Sequence, residues 1–313
     1  MKPLRIIFIG SSEFGIAALK RISESVKPLL VITQPDRPQG RNLSSAPCPL
    51  AKSAAELGIK LFKPDNINSE ETLQTLHSLM PDLLVTASYG GMLGKRIRNL
   101  AARKAINLHP SLLPKYRGAA PIQSALLAGD RTTGMTIFRL TASLDAGPII
   151  MQQKLEIDEG ENYSSLHERL ANLASEMLIE YLANIDAYEA KLSPQDDSLA
   201  TQCGKFEKQD MLLDWHQPAE SVVNRIRAFS LKPGAFQYYN NEPLKFLSAV
   251  KLETPLSGEP GSIDSIIKNT GFTVNCADHP ILIKTIQPAG KKIMDSWAWL
   301  LGSRAQTGDK LWK

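Results

Sequence analysis

The sequence predicts an α/β protein: a mostly parallel sheet with helices on both faces, followed by a small antiparallel β-barrel. Three observations predict it. Short apolar runs alternate with helix-periodic segments through the N-terminal part, the pattern of a parallel sheet. From about Lys191 the chain turns polar and aperiodic over KLSPQDDSLATQCG, as linkers do. Beyond it one helical segment gives way to short alternating runs spaced like those of a small barrel. A length of 313 residues also favours two domains over one core. The expected division is 1–190, a linker 191–206, and 207–313.

The elements follow in order. LRIIFIG is a buried strand, and SSEFGIAALKRISES a helix with Phe14, Ala17, Ala18 and Ile22 at helical spacing. PLLVITQ is a second strand, closed by the turn QPDRPQG. CPLAKSAAELG reads as a helix ended by Gly58, and IKLFKP as a third strand. INSEETLQTLHSL is a helix with a start signal at Ser69. PDLLVTASYG and KAINLH are the fourth and fifth strands. PIQSALLAG is a helix, MTIFRLT a strand, and LDAGPIIMQQKLEI a loop and a strand. In NYSSLHERLANLASEMLIEYLANI, Leu166, Leu170, Leu173, Met177, Tyr181 and Ile185 make one apolar stripe, a core face. After the linker come the helix PAESVVNRIRAF and the runs AFQYY, LKFLSAVKL, GSIDSII, GFTVNCAD and ILIKTIQ.

Apolar residues make up 43% and charged residues 22%, an ordinary globular balance. No apolar run is long enough for a bilayer, and IIFIG is too short for a signal-peptide core. Cys48, Cys203 and Cys276 lie far apart without a CxxC pair, which argues for reduced cytosolic thiols and against a zinc site. The net charge of +4 permits a polyanionic partner without demanding one. From Lys205 onward 14 Lys/Arg face 11 Asp/Glu, so most of the surplus sits in the smaller part.

In a parallel sheet, ligands bind outside the carboxyl ends of the strands. Ser88, Tyr89, Gly90, Asn107 and His109 fall there. Residues i and i+2 of a strand share a face, so Asn107 and His109 present an amide and an imidazole side by side. Two such donors suit an oxygen that becomes negative during acyl transfer. Asp145, in SLDAGP after a strand of the same sheet, is the carboxylate that would orient the ring. No GxSxG elbow, nearby cysteine or helically spaced histidine pair is present, so neither a covalent intermediate nor a metal is expected. The attacking group should come from the substrate. Each residue also has a structural reading: a hydrogen-bonded strand-end His, a turn-capping Asn, an Asx-turn Asp.

NLHPSLLPKYRGAAPIQSALLAGD, followed by TGMTIFRLTASLDAGPI, closely resembles the formyltransferases that use 10-formyltetrahydrofolate. The AAPIQ continuation, TQPDRPQGR at 33–41 and QPAGKK at 287–292 narrow the resemblance to the methionyl-tRNA formyltransferase family, and it runs essentially end to end. It implies a Rossmann-like catalytic domain and an OB-like tRNA-binding barrel. The thiols point to the cytoplasm, and, the barrel not implying a dimer, a monomer is the default expectation. The folate's formyl group would pass to the α-amine of methionyl initiator tRNA. Asn107 and His109 match the family's catalytic pair and would hold the oxyanion. Asp145 matches its aspartate and would keep His109 charged.

By the same resemblance Ser111, Leu112, Leu113 and Pro114 form part of the folate-site wall. Ser88, Tyr89, Gly90 and Leu93 would line the pterin pocket, though Leu93 also suits ordinary loop burial. Arg117 either steers the acidic substrate or ties down its turn. Arg41 matches a basic residue of the loop that enters the tRNA acceptor end. Arg37 either joins it or closes a turn with Asp36. Relatives often carry further basic residues where this chain has Asn42-Leu43-Ser44-Ser45. Lys291 and Lys292 would contact phosphates. Arg225 and Arg227 either do the same or form ion pairs at an interface with the N-terminal domain.

Overall fold

The computed structural model describes residues 3–39 and 44–312. The chain forms two units. One comprises Met1–Pro121, Thr132–Glu156 and His167–Cys203; the other comprises Ile122–Arg131, Ile157–Leu166 and Gly204–Lys313.

The first unit is built on β1 (Ile6–Gly10), α1 (Phe14–Ser23), β2 (Leu30–Ile32), the hairpin β3 (Arg37–Gln39) and β4 (Ser44–Ala46), α2 (Pro49–Glu56), β5 (Leu61–Phe62), α3 (Glu70–Ser78), β6 (Leu83–Ala87), the short α4 (Lys95–Arg98), β7 (Ala105–His109) and β8 (Arg117–Gly118). Further along the chain it holds β9 (Thr132–Arg139), β10 (Ile149–Glu156), all but the first turn of the long α6 (Tyr163–Ala183), α7 (Ile185–Glu189) and β11 (Gln202–Cys203); α5 (Pro121–Leu127), but for Pro121, and the start of α6 fall in the second unit.

Seven strands form one sheet in the order β10-β9-β7-β6-β1-β2-β5. The five from β7 to β5 are parallel, β9 alone in this sheet runs antiparallel to them, and β10, antiparallel to β9, points the same way as the five. The mostly parallel sheet is therefore present. β1 and β6 are buried at every residue, as strands covered on both faces must be. β10, at the edge, exposes Gln152, Gln153, Lys154 and Glu156, polar residues that protect an open edge.

Local signals act as expected. The Ser69 hydroxyl caps α3 by accepting from Thr72 N at 3.2 Å. Gly58, at φ +61, follows α2 and donates to Ala55 O. The stripe Leu166, Leu170, Leu173, Met177 and Tyr181 is buried along α6. The helix stops at Ala183, and Ile185 opens the separate α7. Arg139 and Arg103 both pair with Glu189 of α7, which also accepts from the Tyr181 hydroxyl at 2.9 Å.

In the second unit, α8 (Ala219–Phe229) precedes β12 (Ala235–Tyr239), β13 (Glu242–Lys251), β14 (Ile263–Ile267), β15 (Gly271–Asn275), β16 (Pro280–Pro288), β17 (Met294–Asp295) and α9 (Ser296–Ser303). The strands pair antiparallel in the order β12-β13-β16-β15-β14, with β17 also on β16. Among the described residues no pairing joins β14 to β12, so the expected barrel is seen as an all-antiparallel sheet. Phe246, Phe272, Val274 and Ile283 fill its core, and the Trp215 indole donates to Leu311 O at 2.7 Å.

Among the described residues no helix is long and apolar enough to cross a membrane, and no cluster of His, Cys, Asp or Glu is placed to hold a metal.

Candidate active site

Asn107 and His109 stand at the carboxyl end of β7, between β6 and β9. Thr86 is the register partner of Asn107 on β6, and its hydroxyl lies 2.7 Å from Asn107 Oδ1 and 2.9 Å from Ile106 O. The amide oxygen is thereby turned to the sheet, which leaves the Asn107 NH₂ group as the donor facing away from Thr86.

The His109 ring is buried, with Phe138 of β9 edge-on at 6.2 Å. Its Nε2 lies 3.0 Å from Tyr116 O, a pure acceptor, so Nε2 carries the proton and donates. Nδ1 faces Asp145, 3.7 Å from Oδ2. Burial pushes the ring's pKa below the ordinary histidine value of 6.5, and the Asp145 charge and the Tyr116 carbonyl only partly offset this. Asp145 acts in the direction expected of it, toward the charged ring, and burial acts against it. A neutral ring with Nε2–H committed to Tyr116 leaves Nδ1 as the titrating atom.

Asp145 sits in the loop between β9 and β10 with φ +49. Its Oδ2 accepts from Gly118 N at 2.9 Å. Gly147 brings the loop against β9, where a Cβ would lie 1.8 Å from Arg139 O. Ser88 and Tyr116 also have positive φ, +47 and +60. Three non-glycine residues in this sparse region cluster around one set of strand ends, where strain is usually held for function.

The segment Ser111 to Pro114 is tied to the sheet. Thr136 Oγ1 donates to Ser111 O at 2.7 Å, and Gln152 Nε2 donates to Leu113 O at 2.9 Å. Leu113 N donates back to Thr136 Oγ1 at 3.2 Å, and the Ser111 hydroxyl donates to Lys115 O at 2.6 Å. The irregular chain after His109 is thus a fixed wall. Tyr89 and Leu93 pack into a core cluster with Ile9, Ile32, Ile67 and Ile97. Ser88 and Gly90 are exposed beside them, and a Cβ on Gly90 would meet nothing within 4 Å.

Arg117 ties down its turn. Its side chain is buried, with Nε and Nη2 on Gln195 Oε1 at 3.0 and 2.8 Å and Nη2 on Asp197 at 2.6 Å. Arg225 donates to Asp210 O, and Arg227 to Glu161 O at 2.7 Å; burial holds the Arg227 pKa below its usual value. Both arginines hold neighbouring main chain within the second unit. Arg41 lies outside the described residues. Arg37 opens β3, and Asp36 pairs with Lys63 at 2.6 Å. Lys291 and Lys292 are exposed in the turn between β16 and β17.

Thr86, Thr136, Gln152 and Gln195 support this site and were not singled out from the sequence. Thr86, Thr136 and Gln152 are polar residues within strands, a visible but weak signal. Gln195 lies in the aperiodic stretch, where no pattern marks it. A groove of about 660 Å³ is lined by Glu70, His77, Arg96 and Asn99 near α3 and α4, and none of the three polar groups borders it.

The family description "Formyl transferase" matches residues 4–182, and "Formyl transferase, C-terminal domain" matches 205–304. A methionyl-tRNA formyltransferase of Thermotoga neapolitana is 38% identical over 309 residues, 98% of each chain. One of Methylococcus capsulatus is also 38% identical over 309 residues, 98% of this chain and 99% of that one. Among solved structures, HypX from Aquifex aeolicus in complex with tetrahydrofolic acid superimposes with a TM-score of 0.64 at 17% identity. That match covers 96% of this chain and 47% of HypX, so this chain spans about half the length of that protein, and the likeness is one of fold. With both formyl transferase descriptions matched and such identity held over nearly the whole length, the chain belongs to the methionyl-tRNA formyltransferase family.

Proposed function

We propose that this protein transfers the formyl group of 10-formyltetrahydrofolate to the α-amine of methionyl initiator tRNA. The observation that carries the reading is the placement of Asn107, His109 and Asp145 at one set of strand ends in a chain so similar to named methionyl-tRNA formyltransferases. A free α-amine titrates near 7.7–8.0, and a neighbouring ester lowers this, so much of the acceptor is neutral at pH 7. It attacks the formyl carbon directly. The Asn107 amide donates to the oxygen as it becomes negative. His109 Nδ1 takes the proton released by the new C–N bond, and Asp145 stabilises the resulting imidazolium. As the bond to the folate N10 breaks, that proton passes through water to N10.

The fixed segment Ser111, Leu112, Leu113 and Pro114 supports a folate wall. Ser88 and Gly90 offer backbone groups above the packed Tyr89 and Leu93. Arg37 and Arg41 would engage the acceptor end of the tRNA, and Lys291 and Lys292 its phosphates. In this reading 1–190 is the catalytic domain, 191–206 connects it, and 207–313 is an OB-like tRNA-binding domain. The protein works as a cytoplasmic monomer.

The test is direct. Incubated with 10-formyltetrahydrofolate and charged initiator tRNA, the protein should yield formylmethionyl-tRNA. Formylation of glycinamide ribonucleotide instead, or tRNA binding with no product, would replace this reading.

A further inference from the structure

Asp145 is held from two sides. Gly118 N fixes its carboxylate, and Gln195 fixes its main chain. The Gln195 Nε2 group donates to Asp145 O at 2.8 Å and to Gly147 O at 2.7 Å. Its Oε1 accepts twice from Arg117. A glutamine amide has two donors and two lone pairs, and here all four are used. The amide cannot be reversed, because that would set its oxygen against two carbonyls.

Both holders of Asp145 share one base. Arg117 and Gly118 form β8, which pairs in parallel with β11, Gln202 beside Arg117 and Cys203 beside Gly118. Arg117 N donates to Thr201 O at 2.8 Å, and Tyr116 N to Thr201 Oγ1 at 2.8 Å. Ser193 bridges Ile149 at the start of β10. The polar segment 193–203 is thus a strap across the first unit. Most of it is exposed, while Gln195 turns inward. The left-handed φ of Asp145, +49, persists where surrounding bonds impose it. Among the described residues, the Gln195 side chain bonds to the carbonyls on both sides of Ala146.

We propose that Gln195 is a positioning residue for Asp145, its two N–H groups setting the 145–147 turn while Arg117 anchors its oxygen. The kinetic side of this rests on the formyl-transfer reading. The geometric side does not.

Gln195→Glu separates the two halves of the side chain. It keeps the length and the acceptor for Arg117, but sets a carboxylate oxygen against the two carbonyls. Gln195→Met removes both halves. Both variants are expected to fold, with kcat lowered about ten- to a hundredfold, as for a misplaced catalytic group, and with KM for tRNA and folate unchanged. NMR titration of the His109 ring in the free protein should move to lower pH in both, because Asp145 withdraws from Nδ1. Wild-type kcat and titration in folded Gln195→Glu would overturn the proposal, whether or not Gln195→Met is impaired; impairment of Gln195→Met alone would mean the side chain merely anchors the strap. If the wild-type protein formylates no Met-tRNA, the functional reading fails by itself, and the His109 titration still decides the role of Gln195.

Discussion

At the scale of single residues, the site depends on how burial and hydrogen bonding divide donors from acceptors. Thr86 turns the Asn107 oxygen inward, which leaves the amide N–H groups as the donors facing away from Thr86. Asn107→Ala should lower kcat roughly 10²–10³-fold, the usual loss for one such donor, while folate affinity measured by fluorescence titration holds. Burial pushes the His109 pKa below its ordinary value, and the Asp145 charge pulls it back only in part. In the window below pH 6.5 the unfolded chain binds more protons than the native one. The contribution of His109 to stability is therefore complete above that window and is lost as the pH falls through it. NMR titration should place the ring's midpoint under 6.5 and, in Asp145→Asn, lower still; a midpoint above 6.5 in the wild type would restore a charged resting imidazole.

At the scale of elements, the close meeting of β8 and β11 sets the site's floor. Gly118 has φ +128, and a Cβ there would lie 2.0 Å from Cys203 O. Its N–H also holds the Asp145 carboxylate. Gly118→Ala should cost at least about 1–3 kcal/mol from backbone strain, with a steric cost added, and should lower turnover as Asp145 shifts. Gly160→Ala is the control. Gly160 has φ +76 with nothing within 4 Å of a Cβ, so strain acts there without a clash. Thermal melting should show the larger drop in Tm for Gly118→Ala. Equal drops would mean that β8 and β11 separate at little cost.

At the scale of the whole molecule, the charge surplus is small and lies mostly beyond Lys205. A modest surplus suits a protein that must release a polyanionic product. Replacing Lys291 and Lys292 together by Ala should weaken tRNA binding and flatten its dependence on salt by about one phosphate contact for each lysine that makes one. Filter binding across a salt series reads this slope, and an unchanged slope would remove both lysines from the tRNA surface.

Much of this was legible along the chain. Buried strands such as IIFIG and LLVTA announce themselves because both faces of a parallel sheet must be apolar. Ser69 and Gly58 mark helix ends because capping is a local hydrogen-bonding problem. Asn107 and His109 share a face because strand period is two. The β3–β4 hairpin, β8, β11 and α9 carried no such mark, being short and made mainly by tertiary pairing. The sequence by itself thus determined the α/β order and the chemical groups of the candidate site. Only the folded chain decided the burial of the His109 ring and the neighbours of Asp145. Desolvation depends on the surrounding atoms, and Gln195, 50 positions along the chain from Asp145, reaches it only once β8 and β11 have met.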